Sequence, residues 1–284
     1  MTMDAAGTPT TFPLSADSPY ELRLDQGNGV SDTDVESSVR SGDVGFLHSF
    51  TTGSAVDGPG LRLVAWTTGC GFRCAYCHNP DTWKLRNGIP VTIERAVEEL
   101  RKYAAGLKVM KGGFTLSGGE PLVQHRFAVK LFQAAKSLGL HTAIETNGIL
   151  GARLTDEELA LIDLVILDMK AFGSAQHERV TGIAANAPVI EFARRLAALK
   201  RPMWLRYVLV SGLTDLDEEM RAVASFAASL GVVERAEVLP FHQLGRFKWK
   251  QLAMDYSLDT VQPPSVEAVA KAVAIFREAG LQAA

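Results

Sequence analysis

The chain has 284 residues, of which 47% are apolar and 21% charged, and its net charge at pH 7 is −3. These values predict one large or two small folded domains with a sizeable core. They give no sign of the basic surface that nucleic-acid binding requires. No stretch is as long and apolar as a transmembrane helix, and the first residues lack the basic-then-apolar order of a signal peptide. We therefore expect a cytoplasmic protein.

The first 44 residues differ in composition from the rest of the chain. Residues 1–43 hold eight acidic and two basic side chains, a net charge of −6, and they are rich in Ser, Thr, Gly and Pro. Few of them are large and apolar, so the segment cannot bury enough surface to offset the loss of chain entropy. We expect a disordered acidic N-terminal extension over residues 1–44 and one folded domain over residues 45–284.

From residue 45 onward, short apolar or β-branched runs alternate with amphipathic helical patterns. Strands are predicted at 61–67, 113–117, 141–146, 163–169, 203–210 and 235–240. Helices are predicted at 92–105, 124–138, 155–161, 188–200, 214–230 and 265–279. Six units that alternate strand with helix predict a parallel sheet covered by helices.

Local signals support several of the helix boundaries. Thr155 and Glu158 have the spacing of a capping box, and Ser265 precedes the last helical pattern. Gly139 and Gly231 stand where helices are expected to stop.

Polar side chains follow the predicted strands at their carboxyl ends, where parallel α/β folds collect functional groups. They are Cys70, the segment 117–120, the segment 145–148, Asp168 with Lys170, Arg206 and His242. Such a series of strand ends predicts one shared site. A doubly wound open sheet and a barrel both fit this order. With only six units, we predict an α/β fold in which parallel strands form an incomplete open (β/α)6 barrel with helices outside.

The three cysteines of the chain, Cys70, Cys74 and Cys77, have the spacing C-x3-C-x2-C. Thiolates suit both zinc and iron–sulfur clusters. A structural zinc site needs a fourth ligand, for which His78 is available, although neighbouring side chains rarely converge on one ion. A buried or redox-sensing trio is another alternative. A [4Fe-4S] cluster normally takes four thiolates, so three would leave one iron open to a further ligand.

The spacing, with Tyr76 before the last cysteine, resembles that of the radical S-adenosylmethionine superfamily. Further segments closely resemble the glycyl-radical activating enzymes of that superfamily, in particular the pyruvate formate-lyase activating enzymes. They are "HSFTTGSAVDGPGLR", "RCAYCHNPDTW", "TLSGGEPL", "LDMK", "WLRYVLVSG" and "LPFHQLGRFKW". The resemblance runs from about residue 45 to the C-terminus. It implies a [4Fe-4S] cluster on the three cysteines and an oxidoreductase that uses S-adenosylmethionine to form a radical on a glycine of a protein partner.

The resemblance also implies which residues contact S-adenosylmethionine. They are Tyr76, Cys77, His78, Gly118, Gly119, Glu120, Asp168, Met169, Lys170, Arg206 and His242. Several of these residues have a simpler alternative. The glycines could form an ordinary turn, Asp168 and Lys170 a strand-end ion pair, His242 a packing contact, and Arg206 a pair with a structural carboxylate.

Two further sites follow from the resemblance. Asp57, in the turn "VDGPG", is implied to contact the protein substrate, although the segment is also an ordinary tight turn. A monovalent cation is implied at Asp168 and at the position of Glu145. The family pattern there is Asp-Thr-Asn-Gly, whereas this chain has Glu145, which has the same charge on a side chain one methylene longer.

The presence of only three cysteines limits which glycyl-radical enzyme is the expected protein substrate. Activators of several other glycyl-radical enzymes carry additional cysteine-rich clusters, for which this chain has no residues. The expected protein substrate is therefore pyruvate formate-lyase. The resemblance also implies a flavodoxin or ferredoxin as electron donor, and we expect the chain to be a monomer. Three alternatives remain: an activator of another glycyl-radical enzyme, a radical enzyme acting on a small molecule, and a zinc-stapled binding module.

Overall fold

A computed structural model describes residues 35–284 of the chain. Its strands are β1 (Val44–Ser54), β2 (Arg62–Thr67), β3 (Ile89–Thr92), β4 (Gly113–Gly118), β5 (His141–Thr146), β6 (Leu164–Asp168), β7 (Met203–Leu209) and β8 (Val233–Pro240). Its helices are α1 (Val35–Ser41), α2 (Ile93–Val109), α3 (His125–Ser137), α4 (Asp156–Leu159), α5 (Ser174–Thr181), α6 (Ala187–Ala198), α7 (Asp217–Ser229), α8 (Arg246–Gln251) and α9 (Val266–Glu278).

The chain divides into two compact units that interleave in sequence. Among the described residues, unit 1 comprises residues 35–71, Asp81–Thr146 and Arg153–Leu164. Unit 2 comprises Phe72–Pro80, Asn147–Ala152 and Val165–Ala284.

In unit 1 the strands follow the order β3-β1-β2-β4-β5. Strand β1 is antiparallel to both β2 and β3, whereas β2, β4 and β5 are parallel to one another. Arg62 of β2 lies opposite Gly113 of β4, which in turn lies opposite His141 of β5. The apolar residues Leu63, Ala65, Phe114 and Leu116 are fully buried, as strands covered by helices require.

In unit 2 the strands β6, β7 and β8 are parallel, with Val165 opposite Met203 and Tyr207 opposite Val238. Ion pairs join the exposed faces of two covering helices: Arg221 on α7 pairs with Glu278 on α9 at 2.8 Å. The buried Phe276 of α9 packs against Tyr207, with ring centroids 5.6 Å apart.

The predicted fold class is confirmed. Eight strands follow the order β3-β1-β2-β4-β5-β6-β7-β8, an open and mostly parallel sheet with helices around it. All six predicted strands are present. The pattern gave no sign of β1 and β3, because mixed polar and apolar residues in "VGFLHSFTTGS" and the proline in "IPVT" obscure the strand period.

The predicted helix boundaries are also confirmed where local signals supported them. Thr155 and Glu158 form a capping box, and the Ser265 hydroxyl accepts a hydrogen bond from the Ala268 amide. Gly139 and Gly231 have φ of +70° and +66°, the left-handed region in which a residue without Cβ is favoured.

The predicted N-terminal extension, residues 1–44, lies mostly outside the described residues. Its last ten residues form α1, a two-residue turn and the first residue of β1. The Arg126 guanidinium of α3 donates to the Arg40 carbonyl at 2.8 Å, and Lys130 of α3 pairs with Asp43. Long-range contacts with α3 therefore order a segment whose composition alone predicts disorder. In residues 35–284 no helix is both long and apolar enough to span a membrane.

Candidate active site

The first cysteine stands directly after the turn that leaves β2. The Gly69 amide donates to the Thr82 carbonyl at 2.7 Å, and the Cys70 amide donates to the Trp83 carbonyl at 3.0 Å. Thr82 and Trp83 follow the cysteine motif in sequence. Their carbonyls therefore hold the Cys70 backbone in place within unit 1. The spacing of the cysteines alone does not reveal this support.

In unit 2, Cys74 and Cys77 lie on a loop held against the end of α5. The Arg73 amide donates to the Thr181 carbonyl at 2.8 Å, and the Ala75 amide donates to the Val180 carbonyl at 2.9 Å. A tight turn follows, in which the Cys77 amide donates to the Cys74 carbonyl at 3.0 Å. The loop therefore has its backbone shape before any ligand binds.

The three thiols fit an iron–sulfur cluster in type and in setting. Cys70, Cys74 and Cys77 form no disulfide and are half-buried, so the loops present their thiols without burying them in the core. Three thiolates are a donor set suited to iron–sulfur clusters. Within residues 35–284, no group of three or more His, Cys, Asp and Glu side chains is arranged to hold a single metal ion.

Asp168 and Lys170 extend from the end of β6 to the same side, as strand alternation predicts. The Lys170 ammonium is 3.0 Å from the Asp168 carboxylate and 5.4 Å from the centre of the Tyr76 ring. Burial works to lower the pKa of Lys170, but the Asp168 carboxylate outweighs it and the pKa is raised. Met169, between them, is buried, and its amide donates to the Arg206 carbonyl. The strand-end ion pair therefore exists, and its two opposite charges also suit a zwitterionic ligand.

Tyr76 lies in an apolar cluster of unit 2 with Val180, Val210 and Phe241. Its ring is buried, and its hydroxyl has no hydrogen-bond partner among the described residues. Burial raises the pKa of this phenol. A buried hydroxyl without a partner carries a free-energy cost, which a polar ligand atom could offset.

His78 and His242 pack against each other in unit 2. Their ring centroids are 4.2 Å apart, and His78 Nε2 is 3.2 Å from the His242 carbonyl. Burial, and next the neighbouring His242, lower the pKa of His78 to about 4. His78 is therefore neutral at physiological pH. His242 itself is exposed, and its Nδ1 accepts from the Leu244 amide at 3.4 Å.

Arg206 pairs with a carboxylate that sequence reasoning did not identify. Its Nε donates to Glu237 Oε2 at 2.8 Å, and both side chains are buried. Glu237 is also 3.1 Å from Arg235, whose side chain is half exposed. Of the two alternatives for Arg206, a structural carboxylate or a ligand, the pair with a structural carboxylate is therefore present.

In unit 1 the glycines after β4 approach other backbone segments closely. Gly118 has φ of +129°, and a Cβ there would lie 2.2 Å from the Thr67 backbone. A Cβ at Gly119 would lie 2.6 Å from the Gly69 carbonyl. Glu120 is fully buried; it accepts from the Leu122 amide at 3.0 Å and from the Thr146 hydroxyl at 2.8 Å. Only glycines fit the turn, as expected for a segment that must approach its neighbours.

Glu145, at the end of β5, accepts a hydrogen bond from the Ser117 hydroxyl at 2.5 Å. This places a half-buried carboxylate beside the glycine turn of unit 1. Asp168, its predicted companion at a cation site, belongs to unit 2.

Asp57 is buried in the turn between β1 and β2. Its carboxylate accepts from the Ser54 hydroxyl at 2.5 Å, and its carbonyl accepts from the Thr115 hydroxyl at 2.6 Å. Thr115 also accepts from Arg62, another residue that sequence reasoning missed. The one sequence signal for Arg62 was its charge at the start of an apolar strand.

Comparison with known proteins agrees with this chemistry. Residues 64–227 match the family described as the Radical SAM superfamily. The pyruvate formate-lyase-activating enzyme of Staphylococcus epidermidis is 43% identical over 235 residues, which cover 80% of this chain and 93% of the relative. The pyruvate formate-lyase 1-activating enzyme of Escherichia coli K12 is 38% identical over 239 residues, covering 84% and 97%.

A solved structure shows the same fold. SuiB of Streptococcus suis, described as bound to S-adenosylmethionine, matches 78% of this chain and 49% of its own with a TM-score of 0.58 and 15% identity. At that identity the likeness concerns the fold alone. The identity and coverage of the activating enzymes decide the family. The chain belongs to the radical SAM superfamily and, within it, to the family of pyruvate formate-lyase-activating enzymes.

Proposed function

We propose that this chain activates a pyruvate formate-lyase by forming a radical on a backbone glycine of that protein. The observation that carries the proposal is the set of three half-buried cysteine thiols on loops fixed by backbone hydrogen bonds. The cofactors are a [4Fe-4S] cluster held by Cys70, Cys74 and Cys77 and the co-substrate S-adenosylmethionine. Held by these three cysteines, the cluster would supply the single electron for reductive cleavage of S-adenosylmethionine to methionine and a 5′-deoxyadenosyl radical, and that radical would take a hydrogen atom from the glycine.

The residues of unit 2 are suited to bind and orient S-adenosylmethionine. The Asp168–Lys170 pair offers both charges to its amino and carboxylate groups. Tyr76 and the neutral His78 offer ring faces, and His242 is exposed beside His78. Arg206 is held by Glu237 in a fixed orientation. The pairing of Lys170 with Asp168 and of Arg206 with Glu237 offsets the cost of burying these charges and holds them in place for a ligand.

The residues of unit 1 complete the assignment. The turn at Gly118 and Gly119 brings backbone donors and acceptors near a ligand, with Glu120 anchored by Thr146. Glu145 is assigned to a monovalent cation together with Asp168, and Asp57 to the protein substrate. A flavodoxin or ferredoxin is the proposed electron donor, and we propose that the chain acts as a monomer in the cytoplasm, where cysteines remain reduced.

The test begins with anaerobic reconstitution of the protein with iron and sulfide. Reductant and S-adenosylmethionine are then added with purified pyruvate formate-lyase, and 5′-deoxyadenosine is measured by chromatography. The glycyl radical is measured by electron paramagnetic resonance. The single variants Cys70→Ala, Cys74→Ala and Cys77→Ala should lose both products.

Each result has a distinct meaning. Cleavage with a glycyl signal supports the proposal in full. Cleavage of S-adenosylmethionine without that signal would support the radical chemistry. It would indicate that the substrate is another glycyl-radical protein or a small molecule. Failure to take up iron would overturn the assignment of the three cysteines.

A further inference from the structure

A short link, residues 171–173, joins two parts of the candidate site in unit 2. Directly before it lies Lys170, which pairs with Asp168 at the end of β6. Directly after it, α5 begins at Ser174. Because the link is so short, its backbone conformation determines how the ion pair and the helix are placed relative to each other. The contacts that fix the link therefore bear on both.

A carboxylate from another helix holds this link. Glu219, in the first turn of α7, accepts at Oε1 from the Phe172 amide and from the Gly173 amide, the latter at 2.8 Å. A Cβ at Gly173 would lie 3.1 Å from Glu219 Oε2, so the carboxylate contacts the backbone directly. Gly173 is the N-cap residue of α5 and has no side chain to cap the helix. Glu219 therefore supplies the missing cap, at a helix end where a negative charge is favoured.

Two further contacts fix Phe172 within the link. The Asn186 side chain donates to the Phe172 carbonyl, and the Phe172 ring centroid lies 5.3 Å from that of Phe226 on α7. Both backbone polar groups of Phe172 thus bind side chains that are distant in sequence. The link itself belongs to no helix or strand, so these side-chain contacts determine its conformation.

The other end of α5 holds the loop that carries two of the cysteines. The Thr181 carbonyl accepts from the Arg73 amide at 2.8 Å, and the Val180 carbonyl accepts from the Ala75 amide at 2.9 Å. The 8 residues of α5 span about 12 Å at the rise of an α-helix. A regular helix is a rigid element that can carry a displacement from one end to the other. The cap at the start of α5 therefore bears on the position of the cysteine loop.

The cysteine loop in turn contacts the ion pair. Tyr76, in that loop, has its ring centre 5.4 Å from the Lys170 ammonium, which pairs with Asp168. The end of β6, the link, α5 and the cysteine loop thus form a closed series of contacts within unit 2. Glu219 holds the link, the part of this series whose conformation its own backbone hydrogen bonds do not fix.

We propose that Glu219 is a positioning residue that couples the S-adenosylmethionine-binding end of β6 to the loop carrying Cys74 and Cys77. It acts by accepting the two amides of the link and is assigned no contact with the cluster or with S-adenosylmethionine. This inference rests on the proposed function. It predicts that loss of the acceptor weakens S-adenosylmethionine binding and iron retention together, whereas loss of the charge alone has little effect.

The test compares Glu219→Met with Glu219→Gln in the reconstituted protein. Glutamine keeps an oxygen that can accept from both amides but has no charge, whereas methionine has a similar length and no such acceptor. Glu218→Met is the matched control, because Glu218 is the exposed neighbour on α7. The KM for S-adenosylmethionine comes from initial rates of 5′-deoxyadenosine formation with dithionite. Iron release to a chelator and urea unfolding are measured on the same variants.

We expect Glu219→Met to raise the KM for S-adenosylmethionine and the rate of iron release by about tenfold each, the order of one hydrogen bond. Glu219→Gln should stay within about threefold of wild type in both measurements, and Glu218→Met should match wild type. Asn186→Leu, which removes the donor to the Phe172 carbonyl, should change both in the same direction as Glu219→Met.

A further measurement needs neither iron nor S-adenosylmethionine. In the full-length protein before iron is added, deuterium exchange of the Arg73 and Ala75 amides should accelerate in Glu219→Met and not in Glu219→Gln, because these amides bind the far end of α5. A merely structural cap would lower the stability in urea without this local change.

Unchanged KM and iron release in Glu219→Met would overturn the inference. Equal changes in Glu219→Met and Glu219→Gln would also overturn it, since the charge and not the accepted amides would then matter. A loss of urea stability with normal KM and normal exchange would show that Glu219 is a structural cap only. If the wild-type protein forms no 5′-deoxyadenosine, the proposed function fails instead, and the exchange of the Arg73 and Ala75 amides still decides whether Glu219 holds the cysteine loop.

Discussion

The indole Nε1 of Trp249 donates a hydrogen bond to the carbonyl oxygen of Cys77 at 2.8 Å. Trp249 is buried on α8, and the neighbouring Lys248 donates to the Asn79 side chain at 2.8 Å. The helix α8 therefore supports the cysteine loop from the far end of the sequence. We assign this contact to the stability of the loop that presents Cys74 and Cys77.

The first prediction removes the indole donor. Trp249→Phe should lower the free energy of unfolding by about 1 kcal/mol, because the hydrogen bond to the half-buried Cys77 carbonyl is lost, and the reconstituted protein should lose iron faster to a chelator. Phe247→Ala is the control, since Phe247 lies on the same helix and is 55% exposed. Equal rates of iron loss in the two variants would contradict this role.

The second prediction concerns Arg206 and Glu237. Arg206→Met should destabilise the protein by about 3 kcal/mol, because Glu237 remains buried with only the half-exposed Arg235 as partner. The double variant Arg206→Met/Glu237→Met should recover most of this stability in urea unfolding.

The double variant also tests the ligand role of Arg206. If Arg206 binds S-adenosylmethionine, the stable double variant should still bind it more weakly in equilibrium titration. Normal affinity in that variant would restrict Arg206 to a structural pair with Glu237.

The third prediction concerns the turn after β4. Gly118→Ala should lower stability by about 1–3 kcal/mol and weaken S-adenosylmethionine binding, since the new Cβ would meet the Thr67 backbone at an unfavourable φ. In contrast, Gly106→Ala on α2 has open space around its Cβ and should be stabilising by about 0.5–1 kcal/mol. Urea unfolding and equilibrium titration measure both. Normal binding by Gly118→Ala would exclude the turn from the ligand site.

The fourth prediction tests the cation assignment of Glu145. Glu145→Gln retains an oxygen that can accept from Ser117 but removes the negative charge. The potassium concentration for half-maximal 5′-deoxyadenosine formation should rise by about tenfold or more, because a unit charge near the ion is lost. Glu145→Asp keeps the charge and should respond like the wild type. An identical potassium dependence in Glu145→Gln would remove Glu145 from any cation site.

The fifth prediction is a pH dependence set by His141. Burial, and next the Arg62 guanidinium, lower the pKa of His141 from 6.5. As the pH falls below about 6.5, the unfolded chain takes up a proton that folded His141 resists. Stability should therefore decrease with falling pH, and His141→Asn should reduce that slope in urea unfolding between pH 7 and 5. Parallel pH profiles for the two proteins would show that His141 does not contribute.

The sequence predicted the six parallel strands, most of the helices and the three cysteines, because each depends on neighbouring residues. Apolar runs, capping residues and the C-x3-C-x2-C spacing are local, so they can be read without knowing which segments meet. The same local reading expected disorder up to residue 44, whereas Val35–Ser41 form α1 and α3 contacts Arg40 and Asp43.

Only the tertiary structure decided which polar groups meet. Trp249 and Cys77 are 172 residues apart, and Arg62 and His141 are 79 apart. Glu237 could be assigned to Arg206 only after the register of β7 and β8 placed them opposite each other. Such pairs depend on strand order and packing, which no local pattern encodes. The sequence therefore predicted the chemistry of the cysteines. The contacts that hold the functional side chains in place were determined by the fold.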